Sequence, residues 1–242
     1  MENLVRAAMV VVMLSLFTGC TATRTITMGD GKLYDDTASI SIIVVGGWNE
    51  RDRALLESFG KGILGSIPVF PNRRLPLSTA AAELYRQITE DEEITGRIIL
   101  VAGSWAGLPS RIIDAKNRGL VAGIITVGSP AGGYPSLVNS VLFGTGDEDS
   151  ETPLYVIAGF DESLPKRFWM ASRLNDGILD VEAVNDLGKR RVTDRKIFPN
   201  VKHLDLFKDP RVIQQVNSWA KEIMEKELAK REAVKALLAA SK

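Results

Sequence analysis

The chain has 242 residues, which is enough for one sizeable domain and does not require two. Its composition is that of an ordinary globular protein, with 45% hydrophobic and 25% charged residues. The 30 Lys and Arg residues balance the 30 Asp and Glu residues, so the chain lacks the basic excess of nucleic-acid-binding proteins and we expect no such partner. The one compact basic run, Lys189, Arg190 and Arg191, is predicted to be a solvated turn.

The first twenty residues are predicted to be a targeting segment and not part of the fold. Residues 7–18 form an apolar run that is shorter than the roughly 20 residues needed to cross a bilayer. Arg6 precedes this run, as a basic residue does in a secretory signal. The run leads to Cys20, which is the only cysteine of the chain and therefore cannot form an intramolecular disulfide.

The sequence Thr18-Gly19-Cys20 resembles the bacterial lipoprotein signal, in which the cysteine becomes the lipid-modified first residue of the mature protein. The resemblance implies a signal peptide over residues 1–19, a lipid anchor at Cys20, and a location in the bacterial cell envelope outside the cytoplasm. Thr21 is not the aspartate that often signals inner-membrane retention, which favours the outer membrane. Residues 20–37 have little apolar periodicity and are predicted to be a tether. An uncleaved anchor or a plain signal peptide is the alternative.

Strand-like and helix-like runs alternate from residue 38 onward, which predicts one α/β domain over 38–242. Its sheet is expected to be mostly parallel, with helices on both faces. Strands are predicted where apolar residues run together, at 39–45, 67–70, 97–102, 121–127, 153–158 and 195–198. Helices are predicted where apolar residues recur at helical spacing: 49–64, a helix capped by Ser78, 106–117, 181–187, and a last helix from Asp209-Pro210 with a highly charged extension toward solvent.

Ser104 and His203 are the residues of this frame that indicate chemistry. Ser104 lies in LVAGSWAGL at the end of the third predicted strand, and His203, the only histidine, follows the last strand. The carboxyl ends of parallel strands share one edge of a sheet, where ligands and catalytic groups gather. A nucleophilic serine also needs a base, and an acid that orients the base. The candidate acids after the fifth predicted strand are Asp176, in an Asn-Asp-Gly turn, and Asp161.

The serine does not match G-x-S-x-G, the pattern of the sharp strand-to-helix turn that presents nucleophiles. Ala102 and Ala106 stand where glycine is usual. The requirement is steric, because the turn brings the backbones of the strand and the helix close together. Gly103 and Gly107 lie beside these positions and can relieve crowding. The question for Ser104 is therefore whether two methyl groups fit in the turn.

Five segments in chain order resemble the lipase branch of the α/β-hydrolase superfamily. They are IIVVGGWNE, IILVAGSWAGLPSR, IITVGSPAGG, NDGILDVEA and HLDLFKDPRVIQQVNSW, and the resemblance extends from residue 39 to about residue 220. It implies an α/β-hydrolase fold that works without a cofactor or a metal. A chain of this length leaves room for only a small cap over the site, or for none.

Transferred to the matching positions, the resemblance makes Ser104 the nucleophile, His203 the general base and Asp176 the acid that orients the base. Asp161 is the alternative acid, because many α/β-hydrolases place theirs a few residues after the corresponding strand. This assignment preserves the chain order Ser, Asp, His that is typical of the superfamily.

The oxyanion hole that the resemblance implies consists of the backbone N–H groups of Trp48 and Trp105. The side chain of Trp105 is expected either to form one wall of an acyl pocket or to pack in the core. Two stretches, 134–144 and 164–174, are candidates for a lid over the site or for packed surface segments.

The function implied is that of a lipid-anchored serine hydrolase, lipase- or esterase-like, that cleaves carboxylic esters through an acyl-enzyme. Its substrate would be a small-molecule or lipid ester, and it would reach the membrane through the anchor at Cys20. Two alternatives stay open: a non-catalytic envelope lipoprotein that uses the fold as a binding module, and an acyltransferase with the same three residues. The alanine-flanked turn favours the binding module, whereas the order Ser, Asp, His favours an enzyme.

Overall fold

The computed structural model describes parts of the chain between residues 40 and 240. The described ranges are 40–46, 50–72, 74–117, 119–130, 145–165, 175–176, 178–179, 181, 184 and 190–240. The predicted signal peptide and tether, Cys20 and Trp48 lie outside the described residues, and so do nearly all residues of both lid candidates and most of the predicted helix at 181–187.

Six strands form the central sheet. They are β1 (Ser41–Val45), β2 (Ser66–Val69), β3 (Ile98–Gly103), β4 (Val121–Val127), β5 (Leu154–Phe160) and β6 (Asp194–Pro199). The strand order is β2-β1-β3-β4-β5-β6, and every neighbouring pair is parallel. All six strand predictions are confirmed, with bounds that differ by two residues or fewer.

Within the described ranges, four α-helices cover the sheet: α1 (Glu50–Gly62), α2 (Leu77–Glu90), α3 (Gly107–Lys116) and α4 (Pro210–Ala240). Leu56 of α1 and Trp219 of α4 pack in the apolar core on one face of the sheet. Leu84 of α2 and Ile113 of α3 pack in the core on the other face. The helices therefore lie on both faces, as predicted.

Successive strand side chains alternate between these two cores. Ile43 of β1 belongs to the core under α2 and α3, whereas Val44 belongs to the core under α1 and α4. Ala102 and Val101 of β3 divide in the same way. Full burial of one aliphatic side chain stabilises a fold by about 2 kcal/mol. The two cores thus hold β3 rigidly at the centre of the sheet, and β3 leads directly to Ser104.

Two helix starts test the local capping signals. At α4 the signal holds, because Oδ1 of Asp209 accepts a hydrogen bond from the backbone N–H of Arg211 at 2.8 Å. At α2 the prediction that Ser78 caps the helix is wrong, since the helix begins one residue earlier and Pro76 takes the capping position. Pro76 has extended backbone with ψ of 146°, so it ends the preceding loop and Ser78 lies already inside the first turn.

Among the described side chains of α4, the buried ones end at Glu227. It has 31 residues, which corresponds to about 46 Å. Val212 and Ile223 are buried, and Glu227 is the last buried residue of the helix whose side chain is described. Beyond it the described side chains are exposed or half-exposed. Among the described residues, no helix is both long and apolar enough to cross a membrane.

Candidate active site

Ser104, His203 and Asp176 form a continuous series of hydrogen bonds at the carboxyl edge of the sheet. Nε2 of His203 lies 2.9 Å from Oγ of Ser104, and Nδ1 lies 2.7 Å from Oδ2 of Asp176. All three residues are buried, with exposed fractions of 8% for Ser104 and 2% for the other two. The fold thus brings together three of the predicted site residues, of which Ser104 and His203 are 99 positions apart.

Ser104 occupies a strained turn between β3 and α3. Its φ is +51°, in the left-handed region that residues other than glycine rarely adopt. β3 ends at Gly103, residues 104–106 form a short 3-10 turn, and α3 follows at once. Strain of this kind persists only where the surrounding structure determines the conformation. It is the backbone geometry that exposes a nucleophile at the top of a strand.

The two alanines of the turn are accommodated in the core. Ala102 and Ala106 are both fully buried. Both belong to the apolar cluster under α2 and α3, where their methyl groups pack with other side chains. The methyl groups therefore fit, and they contribute to the core that supports the turn.

Crowding by neighbouring side chains falls instead on two glycines, each one residue further along the chain. A Cβ on Gly103 would lie 2.8 Å from a ring carbon of Phe207. A Cβ on Gly107 would lie 1.9 Å from Oγ and 2.7 Å from Cβ of Ser129, so any side chain there would require Ser129 to move. The steric need for glycine thus exists in this turn, and Gly103 and Gly107 meet it.

Asp176 is held in place by its own turn. Its Oδ1 accepts hydrogen bonds from the backbone N–H groups of Ile178 at 2.9 Å and Leu179 at 2.7 Å, which leaves Oδ2 for His203. The carbonyl of Asp176 also accepts a hydrogen bond from the backbone N–H of His203 at 2.8 Å. In the tautomer that this network assigns, Nδ1–H donates to Asp176 and Nε2 accepts the hydroxyl proton of Ser104.

Asp161, the alternative acid, lies apart from the imidazole. Its Oδ1 accepts hydrogen bonds from the backbone N–H and the hydroxyl of Ser163 at 2.9 and 2.6 Å, and its Oδ2 lies 3.9 Å from Nζ of Lys202. The Ser163 hydrogen bonds, with the positive charge of Lys202, hold the pKa of Asp161 below its ordinary value. Its backbone N–H donates to the carbonyl of Asn175, so Asp161 supports the segment that carries Asp176.

The imidazole of His203 is packed closely on two sides. Gly128, with a φ of +55°, leaves room for it, because a Cβ there would lie 3.2 Å from Cε1 of the ring. Phe207 approaches edge-on, with ring centroids 6.2 Å apart, and packs in turn against Phe59 at 5.5 Å. These contacts hinder rotation of the imidazole away from Ser104.

Trp105 follows Ser104 at the start of the short helical turn. The first amides of a helix have no intrahelical acceptor, and Trp105 lies in the first turn of this helical segment. Trp48, the other predicted donor, lies outside the described residues, and the nearby Gly46 N–H donates to the carbonyl of Val69 at 3.1 Å. Trp105 is half-buried, so it is not sealed in the core.

Comparisons with known proteins bear on the fold. No family model matches the chain, and no curated protein sequence matches it. An α/β-hydrolase-fold protein from Chitinophaga pinensis superposes with a TM-score of 0.54 at 12% identity, over 76% of this chain and 90% of its own. This chain has the α/β-hydrolase fold.

Two further solved structures share this fold. A candidate lipase from Acinetobacter baumannii has a TM-score of 0.54 at 13% identity, over 80% of this chain and 87% of its own. Est1E from Butyrivibrio proteoclasticus has a TM-score of 0.50 at 12% identity, over 80% of this chain and 90% of its own. At identities this low, the likeness establishes the α/β-hydrolase fold and nothing finer.

Sequence reasoning missed a group of four buried charged residues that joins α3 to later segments, which we name the charge cluster: Arg111, Asp114, Asp147 and Arg190. Nε and Nη2 of Arg111 donate to the two carboxylate oxygens of Asp147 at 2.8 and 2.7 Å, and Nε of Arg190 donates to Asp147 at 3.1 Å. Arg190 also lies 3.6 Å from Asp114. None of the four residues is more than 4% exposed.

The charge cluster corrects the prediction for the basic run at 189–191. Arg191 is exposed, but Arg190 is 4% exposed and paired with Asp147, so the prediction of a solvated turn is wrong for Arg190. Burial raises the pKa of Asp147, but the hydrogen bonds and charge of Arg111, with help from Thr145 and Arg190, outweigh burial and hold that pKa below its ordinary value. The only sequence signal was Arg111, two helical turns after the predicted nucleophile.

Proposed function

We propose that this α/β-hydrolase-fold protein is a serine hydrolase that cleaves carboxylic esters, with Ser104 as nucleophile, His203 as general base and Asp176 as the acid that orients the base. The observation that carries the proposal is the hydrogen-bonded series from Oγ of Ser104 through the imidazole to the Asp176 carboxylate. The left-handed backbone of Ser104 supports the same role, because such strain clusters at functional sites.

In the acylation half of the proposed reaction, Oγ of Ser104 attacks the carbonyl carbon of the ester while Nε2 of His203 takes the hydroxyl proton. The oxyanion receives hydrogen bonds from the N–H of Trp105 and from the donor that the resemblance assigns to Trp48. Collapse of the tetrahedral intermediate breaks the ester C–O bond, and the leaving alcohol takes the proton from His203. An acyl-enzyme on Ser104 remains.

In the deacylation half, water replaces the alcohol. Nε2 of His203 removes a proton from the water as its oxygen attacks the acyl carbon, and the same proton returns to Oγ of Ser104 as the carboxylic acid leaves. Asp176 keeps the Nδ1 proton in place and stabilises the imidazolium that forms in both halves. A second hydrogen-bonded network is not needed, because acylation and deacylation use the same groups.

We propose that the substrates are esters of short to medium acyl chains, in small molecules or lipids. A small cap, as the sequence predicts, would favour an accessible cleft over a narrowly selective one. The half-buried Trp105, directly after the nucleophile, is an apolar surface against which an acyl chain can pack. A series of p-nitrophenyl esters of increasing chain length ranks these substrates.

A fluorophosphonate probe tests the proposal, because it phosphonylates only a serine whose proton is taken by a neighbouring base. We expect one adduct per protein molecule, mapped by peptide mass spectrometry to Ser104. The matched control is Ser218→Ala, at an exposed serine of α4, which should label like the wild type. A folded wild-type protein that forms no adduct would instead support the binding-module alternative, and transfer of acyl groups to an added alcohol would support an acyltransferase.

We also propose that residues 1–19 are removed and that a lipid on Cys20 anchors the protein in the bacterial cell envelope, outside the cytoplasm. The proposal rests on the sequence Thr18-Gly19-Cys20. Expressed from the full chain, Cys20→Ala should move the protein from the membrane fraction to the soluble fraction, while Thr21→Ala should leave it membrane-bound. Membrane retention of the Cys20→Ala variant would show that the anchor lies elsewhere.

A further inference from the structure

The charge cluster ties α3 to residues 145–152. Arg111 and Asp114 are three residues apart, so they lie on the same side of α3. The partner of Arg111 is Asp147, and Asp114 accepts hydrogen bonds from the hydroxyls of Ser150 and Thr152, both at 2.6 Å. The helix is thus attached at two successive turns to residues 145–152, which lead into β5.

Arg190 joins the two attachments. Its Nε donates to Asp147, and its two terminal nitrogens donate to the backbone carbonyls of Ser150 and Thr152. Asp147 accepts a further hydrogen bond from the hydroxyl of Thr145. With two arginines and two aspartates the charge cluster is neutral, and every charged group in it has an oppositely charged partner.

A buried ion cluster contributes directional geometry more than stability. Replacing buried ion pairs by well-packed apolar side chains is often neutral or stabilising, because the desolvation of the charges is so unfavourable. The bidentate pairing of Arg111 with Asp147, however, defines both the distance and the orientation of the two side chains. Apolar packing is non-directional and leaves a helix freer to slide or rotate. The charge cluster therefore restricts the rotation and translation of α3.

The restricted helix begins at the strained turn of Ser104. Arg111 lies seven residues after Ser104, which is about two helical turns, or about 10 Å along the axis. A small rotation of α3 would therefore carry the Ser104 turn with it and change the 2.9 Å contact between Oγ and Nε2 of His203. Displacement of a reacting group by about 1 Å can lower a rate by about 100-fold.

We propose that the charge cluster is a positioning device for Ser104: the Arg111–Asp147 pair fixes α3 so that the strained turn keeps Oγ within hydrogen-bond reach of His203. Arg111 and Asp147 are positioning residues in this proposal, since neither contacts the reacting atoms. The inference rests on the proposed function, in which Ser104 is the nucleophile.

The test compares charge-cluster variants with a stability-matched control. Asp147→Asn keeps the shape of the side chain and removes its charge, and Arg111→Lys keeps the charge and removes the bidentate fork. The control is Glu227→Gln, which weakens the ion pair between Glu227 of α4 and Arg97 (2.5 Å). Arg97 directly precedes β3, so this pair lies at the opposite end of the strand from the Ser104 turn. Thermal unfolding midpoints are measured for all variants, and fluorophosphonate labelling rates are measured well below the lowest midpoint.

In both charge-cluster variants the first-order rate of labelling should fall 10- to 100-fold. The probe concentration that gives half the maximal rate should change little. Glu227→Gln should label at the wild-type rate, even if its thermal unfolding midpoint falls as much as that of the charge-cluster variants. Equal labelling rates in charge-cluster and control variants of equal midpoint would overturn the proposal, because the cluster would then serve stability alone.

A second readout does not depend on activity. Because His203 is the only histidine, selective ¹⁵N labelling of histidine gives one set of imidazole resonances for the whole chain. Asp147→Asn should shift the Nε2 resonance, which reports the contact with Ser104, and Glu227→Gln should not. If Asp147→Asn does not fold, Thr145→Val removes one neutral donor to Asp147 and should give a smaller shift in the same direction. An unchanged resonance in a folded variant contradicts the proposal. A shifted resonance in Asp147→Asn, together with a wild type that never forms the fluorophosphonate adduct, contradicts only the proposed function.

Discussion

Replacing Ser104 by alanine, or His203 by alanine, is expected to lower kcat for ester hydrolysis by about 10⁶-fold, and the double variant is expected to lose no more than either single variant. The physical reason is that the two side chains act as one unit. Without the imidazole the hydroxyl has no acceptor for its proton, and without the hydroxyl the imidazole has no nucleophile to activate. The measurement is kcat for a short-chain p-nitrophenyl ester with the wild type and all three variants.

The control for these variants is Ser218→Ala, which changes the same side chain at an exposed position of α4 and should keep wild-type kcat. Circular dichroism and thermal unfolding establish that each variant is folded. Losses that add up in the double variant would show that Ser104 and His203 act independently. Such additivity would be incompatible with the hydrogen-bonded series seen between Oγ and Nε2.

Asp176→Asn is expected to lower kcat by about 10⁴-fold, whereas Asp161→Asn should change it by less than about twofold. Asparagine keeps the shape of Asp176, but its amide can donate to Nδ1 of His203 and so favours the wrong imidazole tautomer. Asp161 has no such role, because its carboxylate is engaged with Ser163 and Lys202. The pair of variants separates the two candidate acids with one chemical change.

The measurement is kcat and KM for both variants with the same ester, under the same conditions. The fall for Asp176→Asn should lie in kcat, because the orienting acid acts on the imidazole and not on substrate binding. A large loss for Asp161→Asn with a small loss for Asp176→Asn would reverse the assignment of the acid. Equal small losses in both would mean that no carboxylate orients the base.

The sheet was predictable because burial of a strand on both faces produces a continuous apolar run in the local sequence. A parallel strand covered by helices on both sides is apolar at every position, so β1 and β3 are visible as short continuous runs. The capping of α2 by Ser78 failed for the opposite reason. A serine before an apolar run is compatible with several positions in the first turn, and the extended backbone of Pro76 decided between them.

The proximity of Ser104 and His203 was predictable from topology, since both follow strands and parallel strands end at one edge. Topology did not predict which of the two candidate acids contacts the imidazole. Asp176 meets the imidazole because its turn and the backbone bond from the N–H of His203 to its carbonyl align the two segments. Asp161 directly follows β5, and its carboxylate is hydrogen-bonded to Ser163, a contact that the sequence pattern does not reveal.

The charge cluster could not be predicted from the sequence for a related reason. Arg190 sits in a basic run that is typical of an exposed turn, and its burial depends on Asp147, 43 positions away. Arg111 depends on the same residue across 36 positions. Apolar periodicity records which residues are buried with the core, but it carries no information on which distant charges pair.

The placement of glycine in the Ser104 turn affects how such turns are found in sequence collections. The pattern G-x-S-x-G demands glycine two residues before and two residues after the serine. It records the positions at which side chains are usually excluded, but not the steric reason for the exclusion. Here the exclusion falls on Gly103 and Gly107, while Ala102 and Ala106 fill space. A pattern that allows any small residue at these two positions, and glycine one residue later, matches this chain, whereas G-x-S-x-G does not.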